Sequence, residues 1–218
     1  MFSEKANLYQ DVDALRERFS IPLGEPINTL ALLKKYTSVD IEHRHFNNRG
    51  LCGLAMVGEQ RDMIVLNEDR TEREQNFDCT HELLHLSKHR NLQDSFSCFT
   101  IVQPSQDRFL EWQANEGAAQ WLVPYQDFIP RFVACIDGHS DMSPYGAQEY
   151  FADYYQTTPQ VIRNRINSLS FEIDQYRQGI CISEIVILSK RQLDRKEIHP
   201  TNYNALCDFA LSWDAMIG

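Results

Sequence analysis

The chain has 218 residues and a formal net charge of -10, with 43% hydrophobic and 24% charged residues. That usage is ordinary for a globular protein and excludes a disordered or collagen-like chain, leaving room for one large domain or a main domain with an appendage. The negative field disfavours nucleic acid and anionic membrane surfaces, and no apolar run approaches the roughly 20 residues that span a bilayer.

Apolar residues Leu8, Val12, Leu15 and Phe19 recur at helical spacing, so residues 7–19 read as a helix that Pro22 and Gly24 close. A second helix starts near Asn28 or Thr29, and residues 39–46 read as extended. Residues 51–57 and 62–66 form a β-prone pair across the polar link Gly58-Glu59-Gln60-Arg61, a hairpin. A helix follows over residues 72–88, then a Ser/Asp/Gln-rich loop, then a helix over 107–122 that Pro124 stops. Beyond Pro130 the pattern changes, passing through a Gly/Ser/Asp/Pro-rich loop around 138–144 to a helix over 145–155. Thr158-Pro159 opens the next helix, the hydroxyl serving an orphan amide and the proline lacking one. The tail offers a strand over 180–188 and a helix over 202–216, and the chain contains no repeat.

Cysteines 52, 79, 98, 135, 181 and 207 form no CxxC pair and read as scattered thiols. The amino terminus lacks the basic and apolar regions of a signal peptide, so a cytoplasmic location is expected.

The chemistry centres on His81-Glu82-Leu83-Leu84-His85. Two histidines four apart on a helix project from one face and can share one ion, with the intervening glutamate placed to take a proton. Phe77, Leu83, Leu84 and Leu86 would bury this helix, and buried histidines need partners. A zinc site needs a third protein ligand while keeping one position open. Asp107, Glu111 and Glu116 are the carboxylate candidates, and Glu111 is preferred because it lies about one turn into a helix that can cross the first. His89 continues the i, i+4 series but drifts about 40° per four residues, which suits a supporting role. Asn67 and Asn115 are possible polar supports, more usually caps or turn residues, while His43 and His45 read as surface histidines. Tyr125, Tyr150, Tyr154 and Tyr155 are the available oxyanion donors.

The run from Phe77 to His89, followed by Glu111-Trp112-Gln113-Ala114-Asn115 and the ending Trp121-Leu122-Val123-Pro124, resembles the ImmA/IrrE family of metallopeptidases. Weaker similarity extends over residues 14–169. Leu84 stands where that family usually has glycine, and Gly117 where it often has phenylalanine. The resemblance implies an α+β, mainly helical, zincin-like domain of gluzincin type, with a small antiparallel sheet and a helix-turn-helix-like segment. It implies Zn²⁺ held by His81, His85 and Glu111, with Glu82 as catalytic acid/base. The expected arrangement is a metallopeptidase domain over residues 1–130, a helical segment over 131–170 and an extension of unknown role over 171–218. The expected activity is site-selective cleavage of a helix-turn-helix transcriptional repressor in a mobile-element, prophage or stress-response circuit. The alternative is an inactive zinc-fold regulator that acts by protein-protein binding, which the intact Glu82 disfavours. Direct DNA binding through residues 151–169 would depend on Arg163 and Arg165, and the overall charge opposes it.

Overall fold

The computed structural model describes residues 4–35, 38–48, 50–138 and 146–208. In chain order its elements are α1 (Glu4–Arg18), α2 (Thr29–Leu33), β1 (Val39–Arg44), β2 (Leu51–Met56), β3 (Asp62–Asn67), α3 (Glu72–Leu84), β4 (Ser95–Phe99) and α4 (Arg108–Leu122). They continue with α5 (Tyr125–Ile136), α6 (Ala147–Tyr154), α7 (Pro159–Ser168), α8 (Ser170–Arg177) and α9 (Lys190–Arg195). A π-helical turn (His85–His89) extends α3. Contacts divide the chain into two compact units, residues 26–122 and residues 1–25 with 123–218.

In the unit of residues 26–122, four strands lie in the order β1-β3-β2-β4. The hairpin is present, with Gly53 opposite Leu66 and Met56 opposite Met63. The sheet is mixed where an antiparallel one was expected, because β1 pairs parallel with β3. That arrangement is available because α2 leads into β1 from outside the hairpin, leaving β3 open on one side. The Ser-rich stretch after the histidines, expected as loop, supplies β4, which pairs antiparallel with β2. Its Phe96 and Cys98 are buried while Ser95 is exposed, so the alternation is real but too short to outweigh its polar composition.

Helix α3 starts at a capping box in which Thr71 and Glu74 satisfy each other's backbone amides, worth about 1 kcal/mol. Cys79, Leu83 and Leu84 on α3 pack with Ile64 and Leu66 of the sheet and Ala114, Ala118 and Trp121 of α4 in a buried core. Each buried leucine contributes about 1.5–3 kcal/mol. Small residues on α4 let its backbone approach α3. Asn28 caps α2 by accepting from the Ala31 amide. The Thr29 hydroxyl lies 2.7 Å from that of Thr80 and accepts from Trp121 Nε1 at 3.1 Å, so one hydroxyl ties α2, α3 and α4 together.

The other unit is helical. Helix α5 continues through Pro130, where the sequence marks a change of pattern. Proline deep inside a helix costs about 3 kcal/mol, but Phe128, Ile129, Phe132, Val133 and Cys135 are all buried on its faces, and their burial outweighs the lost bond. Thr158 caps α7 ahead of Pro159 as expected. Arg163 of α7 is paired with Asp208 at the surface, and Arg165 is fully buried, donating to the Val123 carbonyl and the Tyr9 hydroxyl, so each cation of the DNA reading already has a partner in the protein.

Residues 180–188, expected as a strand, hold only a short 3-10 turn (Ile182–Glu184) followed by irregular backbone. The alternation that suggested a strand comes from burial of Ile185, Ile187 and Leu188. Side chains of α8 bond the backbone of this segment at Val186 and Leu188. Gln175 donates to the Val186 carbonyl at 2.9 Å and accepts from its amide at 3.0 Å, while Glu172 accepts from the Leu188 amide at 3.2 Å. Residues 203–208 are helical, and the rest of the helix expected over 202–216 lies outside the described residues, as does the 139–145 loop. Among the described residues no helix is long and apolar enough to cross a membrane. All six cysteines are free, in keeping with scattered thiols.

Candidate metal centre

Helices α3 and α4 bring His81, His85 and Glu111 together, all buried, with one donor atom of each within 4.8 Å of the others. The two imidazole Nε2 atoms lie 3.0 Å apart. Glu111 reaches both, at 3.3 Å from His81 Nε2 and 3.5 Å from His85 Nε2. Of the other candidates, Asp107 accepts from the amides of Phe109 and Leu110 at the start of α4, and Glu116 is not part of this cluster. Glu111 and Asn115 share a helix face, which leaves Glu116 rotated away.

The outward nitrogens determine what the inward ones can do. Asn115 Oδ1 lies 3.1 Å from His81 Nδ1, and a carboxamide oxygen only accepts, so His81 carries its proton on Nδ1. Gln113 Oε1 accepts from His89 Nε2 at 3.0 Å, which leaves His89 Nδ1 to accept from His85 Nδ1 at 2.9 Å. These bonds assign the tautomers and turn a lone pair of each ligand-position histidine toward Glu111. His85 is further fixed by stacking on Phe96 with ring centroids 4.4 Å apart. His89 thus supports His85 from behind, as its drift off the ligand face suggested. The widened π-helical turn lets it do so, since π-turns alter the ordinary i, i+4 placement of side chains.

The centre therefore presents two nitrogen lone pairs and a carboxylate to one point, with no donor among them. Three ligands about 2.0–2.1 Å from one tetrahedral ion would sit about 3.3 Å apart, so the observed separations leave room for a metal ion of that geometry. Burial lowers the His85 pKa to about 4, keeping the ring neutral and able to bind a cation.

Glu82 points instead at the sheet. It is completely buried, and among the described residues neither oxygen makes a hydrogen bond of ordinary geometry, although the Cys98 amide donates weakly toward it and lowers its pKa. Burial raises its pKa well above the usual carboxylate value, and the charges of Glu111 and Asp78 add to the rise. Gly53 makes the space: a Cβ there would sit 3.1 Å from Glu82 Oε1 and 3.4 Å from its Cγ. A side chain at 53 would push the carboxylate aside.

Asn115 was among the possible supports and Gln113 was missed; the spacing Glu111-x-Gln113-x-Asn115 carries both, but only the tautomer chain gives them meaning. Gly53 and Cys98 were missed as well, because strand residues opposite a helix leave no local sequence pattern. Asn67 is the last residue of β3, accepting from the Asp69 amide of the following turn and donating to the Leu51 carbonyl. His45 pairs with Asp69 at the surface. In the other unit, the Tyr155 hydroxyl donates to Asp127, the Tyr154 hydroxyl donates to the Gly24 carbonyl, and Tyr125 stacks on Tyr9, with Tyr150 exposed beside Tyr154.

Residues 26–167 match the peptidase family M78, described as the IrrE N-terminal-like domain. No curated protein matches the chain.

Proposed function

Since the chain belongs to the IrrE N-terminal-like family of metallopeptidases, we propose that it is a zinc-dependent endopeptidase whose ion is held by His81, His85 and Glu111. The observation that carries this reading is the set of three buried acceptors facing one another with no donor between them. Such a set is unfavourable unless a cation resolves it.

Zinc, when bound, supplies Lewis acidity at the scissile carbonyl. Asn115 and the His89-Gln113 pair hold the imidazoles in the required tautomer and orientation. Glu82 contributes proton transfer: its buried carboxylate has a raised proton affinity, so it can hold a proton at Oε and deliver it to the leaving amine. The intact glutamate is why an inactive zinc-fold regulator is the weaker reading. The substrate class proposed is a helix-turn-helix repressor encoded beside this gene, in a mobile-element, prophage or stress-response setting. That assignment rests on family analogy.

The test pairs metal content with cleavage. The Glu82→Gln protein should keep one zinc per chain and lose cleavage of the adjacent regulator by about 10²–10⁴-fold. His81→Ala should lose the zinc itself. Cleavage by Glu82→Gln at the parental rate would rule the mechanism out.

A further inference from the structure

Cys52 and Cys98 are buried, and the proposed peptidase chemistry uses neither. They occupy neighbouring antiparallel strands, β2 and β4. In a regular strand successive residues face opposite sides, so Cys52 would turn away from α3 if Gly53 faces it. The register prevents this. Leu51 is opposite Phe99 while Gly53 is opposite Cys98, so Cys52 is an extra residue in a bulge. Two residues of β2 therefore share one partner on β4, and one of the two, Gly53, has no side chain to intervene. The sulfurs come to lie within 4.8 Å of each other and of an Asp78 carboxylate oxygen.

We propose that Cys52 and Cys98 are an oxidation site that closes to a cross-strand disulfide when the chain meets a hydroperoxide. The sulfurs already lie within 4.8 Å of each other, so side-chain rotation with a small strand shift brings them to bonding distance. Cys52 reacts first. Its hydrogen bond with Cys98 lowers its pKa and outweighs the upward effects of burial and the Asp78 carboxylate, with Arg70 helping, while the same bond and burial raise Cys98 well above an ordinary thiol.

The Cys52 thiolate attacks a peroxide oxygen, the O–O bond breaks, and with hydrogen peroxide hydroxide leaves, giving a sulfenic acid at Cys52. Cys98 sulfur then attacks the Cys52 sulfur, the S–O bond breaks, and the departing hydroxide takes the Cys98 proton to form water. Two thiols are oxidised by two electrons and one peroxide is reduced to two waters. Peroxide has a short route. Arg70 lines a cavity of about 660 Å³ with His45, Asn47, Asn67, Asp69 and Glu74, and it grips Asp78 at 2.5 Å. One ion pair thus stands between that cavity and the sulfurs. β4 is also an edge strand, so local opening breaks its pairing with β2 alone.

The test uses the full chain carrying Cys181→Ser, which removes the exposed thiol and leaves five of the six cysteines. After hydrogen peroxide and removal of excess oxidant, thiols titrated in denaturant should fall from five to three, and peptide mapping should link Cys52 to Cys98. With Cys98→Ser added, dimedone should label Cys52. Five remaining thiols, a link elsewhere such as Cys135 to Cys207, or dimedone failing to label Cys52 would overturn the proposal. None of these readouts depends on zinc or cleavage.

Discussion

Both units bury charge, and they do so in opposite ways. In the helical unit, Lys5 and Glu172 are buried together at 2.9 Å, and Lys5 also donates to the Ser168 carbonyl. Arg165 is fully buried and sits over the Tyr9 ring while donating to backbone and hydroxyl oxygens. Cations there meet acceptors. In the unit of residues 26–122, His81, His85 and Glu111 present acceptor to acceptor, and Glu82 lies beside them with neither oxygen making a hydrogen bond of ordinary geometry among the described residues. Burial of polar groups is common to both units, so burial alone does not mark a functional site. What separates the two clusters is whether a cation meets the acceptors within the protein, since single orphaned atoms such as Glu172 Oε2 and Thr157 Oγ1 occur in the helical unit too.

The sharpest way to break this contrast is to unbalance the balanced unit. Lys5→Met should leave Glu172 buried without its cation and destabilise the protein by about 3–5 kcal/mol in urea unfolding, with zinc content unchanged. A loss below 1 kcal/mol would mean that the pair is not the closed system described here. The converse should hold at the metal centre, where removing a charge relieves an imbalance. After chelation, Glu82→Gln should be more stable than the parent by about 1–2 kcal/mol at mildly alkaline pH. The sign follows from the raised pKa of Glu82. The folded state holds a proton the unfolded state has released, so parental stability falls as pH rises, and the gap to the glutamine variant should widen. A less stable Glu82→Gln protein would contradict the imbalance.

The smallest expected effect concerns Asp78, whose pKa burial raises from 3.8 to about 6 against the opposing pull of Arg70. Between those values the native state binds more protons than the unfolded one, so Asp78 should make stability decline as pH rises through this window. Asp78→Asn should flatten that part of the profile by on the order of 1 kcal/mol, read from urea midpoints across the window. An unchanged slope would show that Arg70 neutralises the group fully.

The histidine motif was legible because the helix repeat maps spacing directly onto a face, and the approach of Glu111 to it because α4 crosses α3 as the helical pattern of residues 107–122 allowed. The parallel pairing of β1 was not legible, since strand patterns give the existence of a partner and not its direction. β4 was hidden by its serines, although Phe96 and Cys98 carry its alternation. α5 was obscured by Pro130, a local penalty that tertiary burial overrides. The tautomer chain through Gln113, His89 and Asn115 needs three-dimensional neighbours, and sequence supplied only the residues.

Gln175 has a consequence for solubility. The run Ile185-Val186-Ile187-Leu188 has the composition of a segment that adds to the open edge of another sheet or to a stack of like segments. Val186 is 55% exposed, so its backbone is the natural point of entry for such a strand. One carboxamide occupies both its amide and its carbonyl, presenting an incoming chain with groups already taken. A side chain that looks like a structural tie thereby also acts as a guard against intermolecular β-pairing, at the place where this sequence most invites it.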